Sequence, residues 1–445
     1  MKRTIALLCA TATLLGFSSG CAARKHATIY DANGAVIATP RSSEKIAESL
    51  GNATHESYVT YAVEEAVAVL AALGDGDVTA ARKNLFRGEY TVHTLLDPTV
   101  QEAVAAAYAP YEEEGLPFGC AAVDDGGGVR AIYSGGDALF ALNSRSPCSA
   151  IKPLSVYAPA VEFGVANWGT SYKDTPYKKI TDLTGQVSLW PTNANGKYTG
   201  ENTALYDCVR QSLNTTAVHC LKQVGVNQSL KFLKERLGMN VAYEQNKAVL
   251  EGEDEVIGNV AMGFLYTGCT PIQMAGYYRI FGGDGMYTVP HCVREIRDAD
   301  GNVVYTFESE AVRVIEEDTS YIVNRLLQSV VSPSGTGKAA KVKGTELVGK
   351  TGTSDEDNWF VGVTPEYSVA VWHGNREDGI NIAPQLFTKV FEKMPTPTVT
   401  KFTKPTSVVR GISCMDSGMR GTTSCPNVQI GYYAADRLPA VCDAH

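Results

Sequence analysis

The chain has no C-x-x-C pair and no H-x-x-x-H pair, and its seven histidines are scattered along 445 residues, so nothing in the spacing points to a metal site. Basic residues are outnumbered: 39 Lys and Arg against 48 Asp and Glu give a formal charge of -9. A nucleic-acid partner is therefore not expected, since phosphate binding needs a basic face that displaces counterions. Internal repeats are absent. No apolar run is long enough to cross roughly 30 Å of hydrocarbon. The longest such run near the start, Ile5 to Phe17, follows Lys2 and Arg3 and reads as an export signal over residues 1–20. What is present is an apolar content of 44%, enough for a large core.

Small residues in S-S-G-C precede Cys21, a junction that resembles a bacterial lipobox. On that resemblance Cys21 is lipidated and anchors the chain to the outer face of a membrane, in the extracytoplasmic cell envelope. Plain cleavage and an uncleaved anchor are the other two outcomes. Export places the remaining cysteines where disulfides are permitted. Eleven cysteines less Cys9 and Cys21 leave an odd number, so at least one thiol is free or pairs between chains.

Residues 21–89 read as an N-terminal linker or pedestal. Within them, Y-D-A-N-G-A-V-I-A-T predicts a hairpin turned at Asn33-Gly34, and Tyr58 to Leu73 a helix stopped by Gly74-Asp75-Gly76. From Tyr90 the pattern becomes strand (T-V-H-T-L-L), capped helix (D-P-T-V-Q-E-A-V) and glycine-turned hairpin (C-A-A-V-D-D-G-G-G-V-R-A-I-Y-S). That order suggests an α+β domain over residues 90–394. Residues 395–445 read as a Pro/Thr linker and a stapled tail holding Cys414, Cys425 and Cys442.

Two S-x-x-K tetrads occur. Ser42 and Lys45 stand ahead of Ile46, Ala47 and Leu50 at helical spacing, so a helix cap accounts for the first. The second is Ser149 and Lys152 in S-P-C-S-A-I-K-P, which a helix start also explains. Downstream come Ser212 and Asn214 in S-L-N, with Asn214 a good N-cap on its own, and Lys350-Thr351-Gly352-Thr353 in L-V-G-K-T-G-T-S. The K-T-G stretch is followed by W-F-V-G-V-T-P-E-Y-S-V-A-V-W-H-G, two strands that make it a neighbour in one sheet.

The three sets in this order resemble S-x-x-K, S-x-N and K-[TS]-G of the penicillin-recognising serine transferases and hydrolases. H-T-L-L-D-P-T-V-Q, T-P-I-Q-M-A-G-Y-Y-R-I-F-G-G-D-G and S-G-T-G-K-A-A resemble segments of the transpeptidase module in bifunctional penicillin-binding proteins. The likeness runs from about Tyr90 to Asn375, and the tail ending in Cys442 and His445 is also similar. Departures are Cys148 for the usual glycine, Ile151 for the usual phenylalanine, and V-W-H-G-N. From Cys21 to Asp97 there is little room for a glycan-polymerising domain, so the expectation is a stand-alone transpeptidase fed by a separate glycan polymerase.

The resemblance implies an antiparallel sheet flanked by helices, no cofactor, and D,D-transpeptidase chemistry on peptidoglycan stem peptides, with covalent β-lactam binding. Its residue roles are Ser149 as nucleophile, Lys152 as base, and Ser212, Asn214 and Lys350 as relay and orienting groups. Thr351, Gly352 and Thr353 bind substrate, and the N–H groups of Ser149 and Thr353 form an oxyanion hole. These roles fit the chemistry. A hydroxyl needs a base within hydrogen-bond reach, and spacing of three on a helix puts Lys152 on the face of Ser149. An ordinary lysine titrates near about 10.4, so Lys152 needs burial and the charge of Lys350 to be neutral. Gly352, lacking a side chain, lets an extended peptide pair along its strand.

A P-loop reading of S-P-S-G-T-G-K-A fails, because Ser332 stands at the first glycine and Ala339 at the magnesium-binding hydroxyl. A β-lactamase, a D,D-carboxypeptidase and a non-crosslinking β-lactam sensor remain as alternatives. The E-x-x-L-N segment of the common serine lactamases is absent between Ser212 and Lys350.

Overall fold

The computed structural model describes residues 26–136, 139–181 and 184–445. The export-signal reading of residues 1–20 and the lipidation of Cys21 lie outside them.

Five antiparallel strands form the central sheet, in the order Val348–Thr353, Asn358–Val363, Tyr367–His373, Phe118–Asp124 and Val129–Gly135. These strands are apolar almost throughout because both faces are covered, and alternate residues serve different cores. Val369 and Val371 join Phe360, Leu386 and Phe387 on one side, while Ala370 and Trp372 join Val361 on the other. Helices Pro98–Tyr108 and Ala383–Lys393 pack on each other and on the first face. Helix Pro271–Tyr278, closed at its start by a Thr270/Gln273 capping box, covers the second. Pro98 follows an Asp97 carboxylate that accepts from the N–H groups of Thr99 and Val100, so the D-P-T-V start forms as the sequence predicts. This is the α+β architecture expected.

Residues 26–89 fold onto this body. The hairpin at Asn33-Gly34 forms, its Asp31 carboxylate accepting from the Asn33 and Ala35 N–H groups. Its first strand, Thr28–Tyr30, runs parallel to Tyr90–Thr94 in a second five-stranded sheet. Helix Glu56–Leu73 docks through Tyr58, whose hydroxyl donates to the Val129 carbonyl. The first S-x-x-K does not start a helix: Ser43–Lys45 and Ala47–Ser49 are separate 3₁₀ turns, and Ser42 makes no capping bond. From Arg41 to Gly51 only Ile46 is buried, which leaves no apolar stripe to hold a longer helix against the body.

The tail is a folded hairpin, Val408–Cys414 paired with Val428–Ala434. Tyr432 packs edge-on to Tyr321 and Trp168, and Arg437 pairs with Asp318. The expected staple is not a disulfide, since all nine described cysteines are free thiols. Folding brings Cys414 to Cys442 and His445, which stand three residues apart in the chain, so no single motif spans the set.

Candidate active site

Ser149 lies in a 3₁₀ turn, Cys148–Ile151, followed by a π-helical turn over Pro153–Tyr157 and a short helix, Ala158–Glu162. The sequence predicted an ordinary helix start. In a 3₁₀ turn residues three apart eclipse one another, so Lys152 still follows Ser149 on one side. Cys148 holds φ +48°, a left-handed conformation that glycine adopts freely and other residues adopt at a cost. That accounts physically for glycine being usual at this position. Two glycines let the backbone close around the turn. A Cβ on Gly263 would lie 2.1 Å from the Cys148 carbonyl oxygen, and one on Gly352 2.5 Å from that of Pro147. The bare Cα of Gly352 therefore faces the Ser149 turn, a reason for glycine that peptide pairing alone did not supply. Trp359 Nε1 donates to the Ser146 carbonyl at 2.8 Å, and the Tyr278 hydroxyl to that of Ala150, fixing the turn from both sides.

Lys152 and Lys350 are completely buried. Lys152 Nζ donates to Asn214 Oδ1 at 2.7 Å and to the Ser212 and Leu213 carbonyls at 2.8 and 3.4 Å. Lys350 Nζ donates to Ser212 Oγ at 2.7 Å and to the Thr351 carbonyl at 2.9 Å. Burial, and then the charge of Lys350, push the Lys152 ammonium well below the ordinary lysine range. Burial alone brings Lys350 down to about 7. The expected Ser149–Lys152 hydrogen bond is not closed, because Lys152 directs its donors at the S-L-N backbone and the Asn214 amide. Catalytic contacts are often open before substrate arrives.

Ser212 is the second left-handed non-glycine residue, with φ +56°. It ends helix Leu205–Gln211, and Asn214 is the first residue of helix Asn214–Val224. Asn214 is not an N-cap. Asn193 caps this helix instead, its Oδ1 accepting from the N–H groups of Asn214 and Thr215 at 2.9 and 3.3 Å. That leaves the Asn214 amide free to accept from Lys152 while donating to the Thr192 carbonyl at 2.8 Å. Asn193 is in turn held by Asp174 at 2.8 Å, which also accepts from Thr215 Oγ1 at 2.6 Å. No motif flagged Asn193 or Asp174, because their roles exist only once residues 171–204 dock on the helix.

Ser149, Ser212, Asn214, Thr351 and Thr353 open on one cavity of about 180 Å³. Five further residues line it that sequence reasoning did not single out, the polar Gln211, Thr336 and Asn381 together with Ala194 and Pro384. Thr336 sits in the S-G-T-G-K-A-A segment, its Oγ1 2.8 Å from Thr351 Oγ1. Asn381 Nδ2 donates to Thr353 Oγ1 and the Gly352 carbonyl, both at 2.9 Å, and nothing in its local sequence signalled this. Among the described residues no carboxylate lines the cavity. The K-T-G strand is the edge of the sheet, hydrogen-bonded to one neighbour only.

An edge strand closing a cavity over a serine turn, with helices on both faces of the sheet, defines the α+β fold of penicillin-binding protein transpeptidases. The family described as penicillin binding protein transpeptidase domain matches residues 93–392, and the chain belongs to that family. Penicillin-binding protein 1F of Bacillus subtilis is 28% identical over 380 residues, covering 79% of this chain and 49% of that protein. Penicillin-binding protein 1A of Clostridium acetobutylicum is 34% identical over 240 residues, covering 52% of this chain and 28% of that protein. The chain thus spans half or less of these relatives. Among solved structures, penicillin-binding protein 1A of Haemophilus influenzae superposes with a TM-score of 0.67 at 13% identity, covering 94% of this chain and 99% of that one. The D,D-transpeptidase domain of a peptidoglycan glycosyltransferase from Eggerthella lenta gives 0.60 at 19%, covering 84% and 98%.

Proposed function

We propose that the chain is a serine D,D-transpeptidase that crosslinks peptidoglycan stem peptides and is acylated by β-lactams. The observation that carries this reading is the cavity that Ser149 shares with Ser212 and Asn214, behind which two buried lysines are bonded, Lys350 to the Ser212 hydroxyl and Lys152 to the Asn214 amide oxygen. Neutral Lys152 takes the Ser149 proton as Oγ attacks the carbonyl carbon of the penultimate D-alanine. The carbonyl electron pair moves to oxygen, held by the N–H groups of Ser149 and Thr353. Collapse breaks the C–N bond, and the departing D-alanine amine takes a proton relayed through Ser212 from the lysines. Thr351 and Thr353 bind the terminal carboxylate. The stem extends along the free edge of the Lys350 to Thr353 strand, adding a strand to the sheet. An acceptor amine from a second stem then attacks the ester carbonyl and gives a proton to Lys152, and as the bond from carbon to Ser149 Oγ breaks that proton returns to Ser149.

A cavity without a carboxylate offers no base to a hydrolytic water, which favours transfer over β-lactamase turnover. The test is intact-protein mass spectrometry of the acyl-enzyme against time, with turnover of a chromogenic cephalosporin read in parallel. One long-lived adduct and D-alanine release in the presence of an acceptor amine are expected. Rapid multiple turnover of the cephalosporin would make the chain a lactamase, D-alanine release to water alone a carboxypeptidase, and an adduct without D-alanine release a sensor. We further propose residues 90–394 as the transpeptidase domain, with glycan strands supplied by a polymerising enzyme. Cys21 is proposed as a lipid anchor in the cell envelope. A Cys21→Ala chain that partitions into detergent as the parent does would remove that anchor.

A further inference from the structure

The C-terminal hairpin carries a small cluster of its own, separate from the two large cores: Cys414, Cys425 and Cys442 packed together with Met419. We propose that Cys414, Cys425, Cys442 and His445 form a structural zinc site that holds the tail in its fold. The Cys414 and Cys442 sulfurs and a His445 ring nitrogen lie within 4.8 Å of one another. Cys425 packs in the same buried cluster as the other two cysteines. Tetrahedral zinc, with bonds of about 2.3 Å to sulfur and about 2.0 Å to nitrogen, sets its ligands roughly 3.5–4 Å apart, so small side-chain rotations close the set.

Two of the sulfurs already face donors suited to a thiolate. The N–H of Thr422 reaches Cys425 at 3.3 Å. Ser417 Oγ adds a bond to Cys442 at 3.2 Å. Asp416 Oδ2 lies 3.7 Å from His445 Nε2, positioned to orient the ring as outer carboxylates do around ligating histidines. A disulfide would use two of the three sulfurs and leave the third, its donors and the histidine without a role. On binding, the three thiols release their protons and three Zn–S bonds and one Zn–N bond form, so the metal supplies the fixing energy that so small a cluster lacks. The inference is independent of the chemistry proposed at Ser149.

The test uses the full chain purified under reducing conditions without chelator. Elemental analysis is expected to find one zinc per chain that survives dialysis. Cobalt replacement is expected to show a sulfur-to-metal charge-transfer band and tetrahedral d–d bands. Cys425→Ser and His445→Ala are each expected to lose the metal while penicillin still acylates the protein. His445 is exposed, so its substitution opens no cavity in the core. A metal-free chain under these conditions would overturn the site. So would zinc content unchanged in both variants.

Discussion

Lys350 Nζ donates to Ser212 Oγ at 2.7 Å, joining the edge strand of the sheet to the left-handed residue between two helices. This bond ties sheet to helical layer across the cavity, and it makes the hydroxyl at 212 an acceptor toward Lys350. The Ser212 proton is thereby free to point elsewhere, as a relay to a leaving amine requires. Both buried lysines titrate low for the same reason, loss of water, and that shared cause governs several measurements.

Ser149→Ala is expected to abolish the covalent penicillin adduct, and Ser42→Ala to leave it intact. The Lys45 side chain beside Ser42 is exposed and pairs with Glu48, so that tetrad has no buried base. Peptide mapping of the labelled protein reads the result. Label on Ser149→Ala at the parental level would refute the assignment.

Asn214→Asp replaces the amide 2.7 Å from Lys152 Nζ with a carboxylate. An opposite charge stabilises the ammonium form, so the lysine's titration moves up and the base is protonated at neutral pH. The acylation rate should fall at pH 7 and recover as pH rises, shifting the rising limb of the profile to higher pH. An unshifted limb would mean Lys152 is not the base.

Lys350→Met removes a lysine whose folded value is about 7 against an ordinary 10.5. Between those values the unfolded chain binds the proton and the folded chain does not, so stability rises with pH across that window. Urea midpoints measured from pH 6 to 10 should rise more steeply for the parent than for the variant. The two curves should run parallel below about pH 7. Parallel curves throughout would contradict the lowered value.

Cys148→Gly and Cys148→Ala both delete a buried side chain, but only glycine relaxes φ +48°. The glycine variant should be the more stable by about 1 kcal/mol, the reverse of the usual order at a residue with negative φ. Thermal or denaturant melts of the pair decide it.

Local chemistry was legible from the residues alone. Asp97-Pro98 started a helix, Asn33-Gly34 turned a hairpin, and V-G-V-T-P-E-Y-S-V-A-V-W-H paired as two strands, because caps, turns and apolar runs act within a few residues. The three polar sets were visible too, since each is a short string. What no string could settle was which neighbour each polar group would meet. The Ser149 tetrad became a 3₁₀ turn that Gly263 and Gly352 approach closely, and the Ser42 tetrad stayed two loose turns because almost nothing covers it. Asn214 lost its capping role to Asn193, Thr336 and Asn381 came to the cavity wall from distant segments, and Cys414 met Cys442 and His445. Sequence by itself determined the elements and the chemical groups available. Only the tertiary structure decided which of those groups share a cavity, because burial and long-range hydrogen bonds are properties of the packed chain and have no period in its sequence.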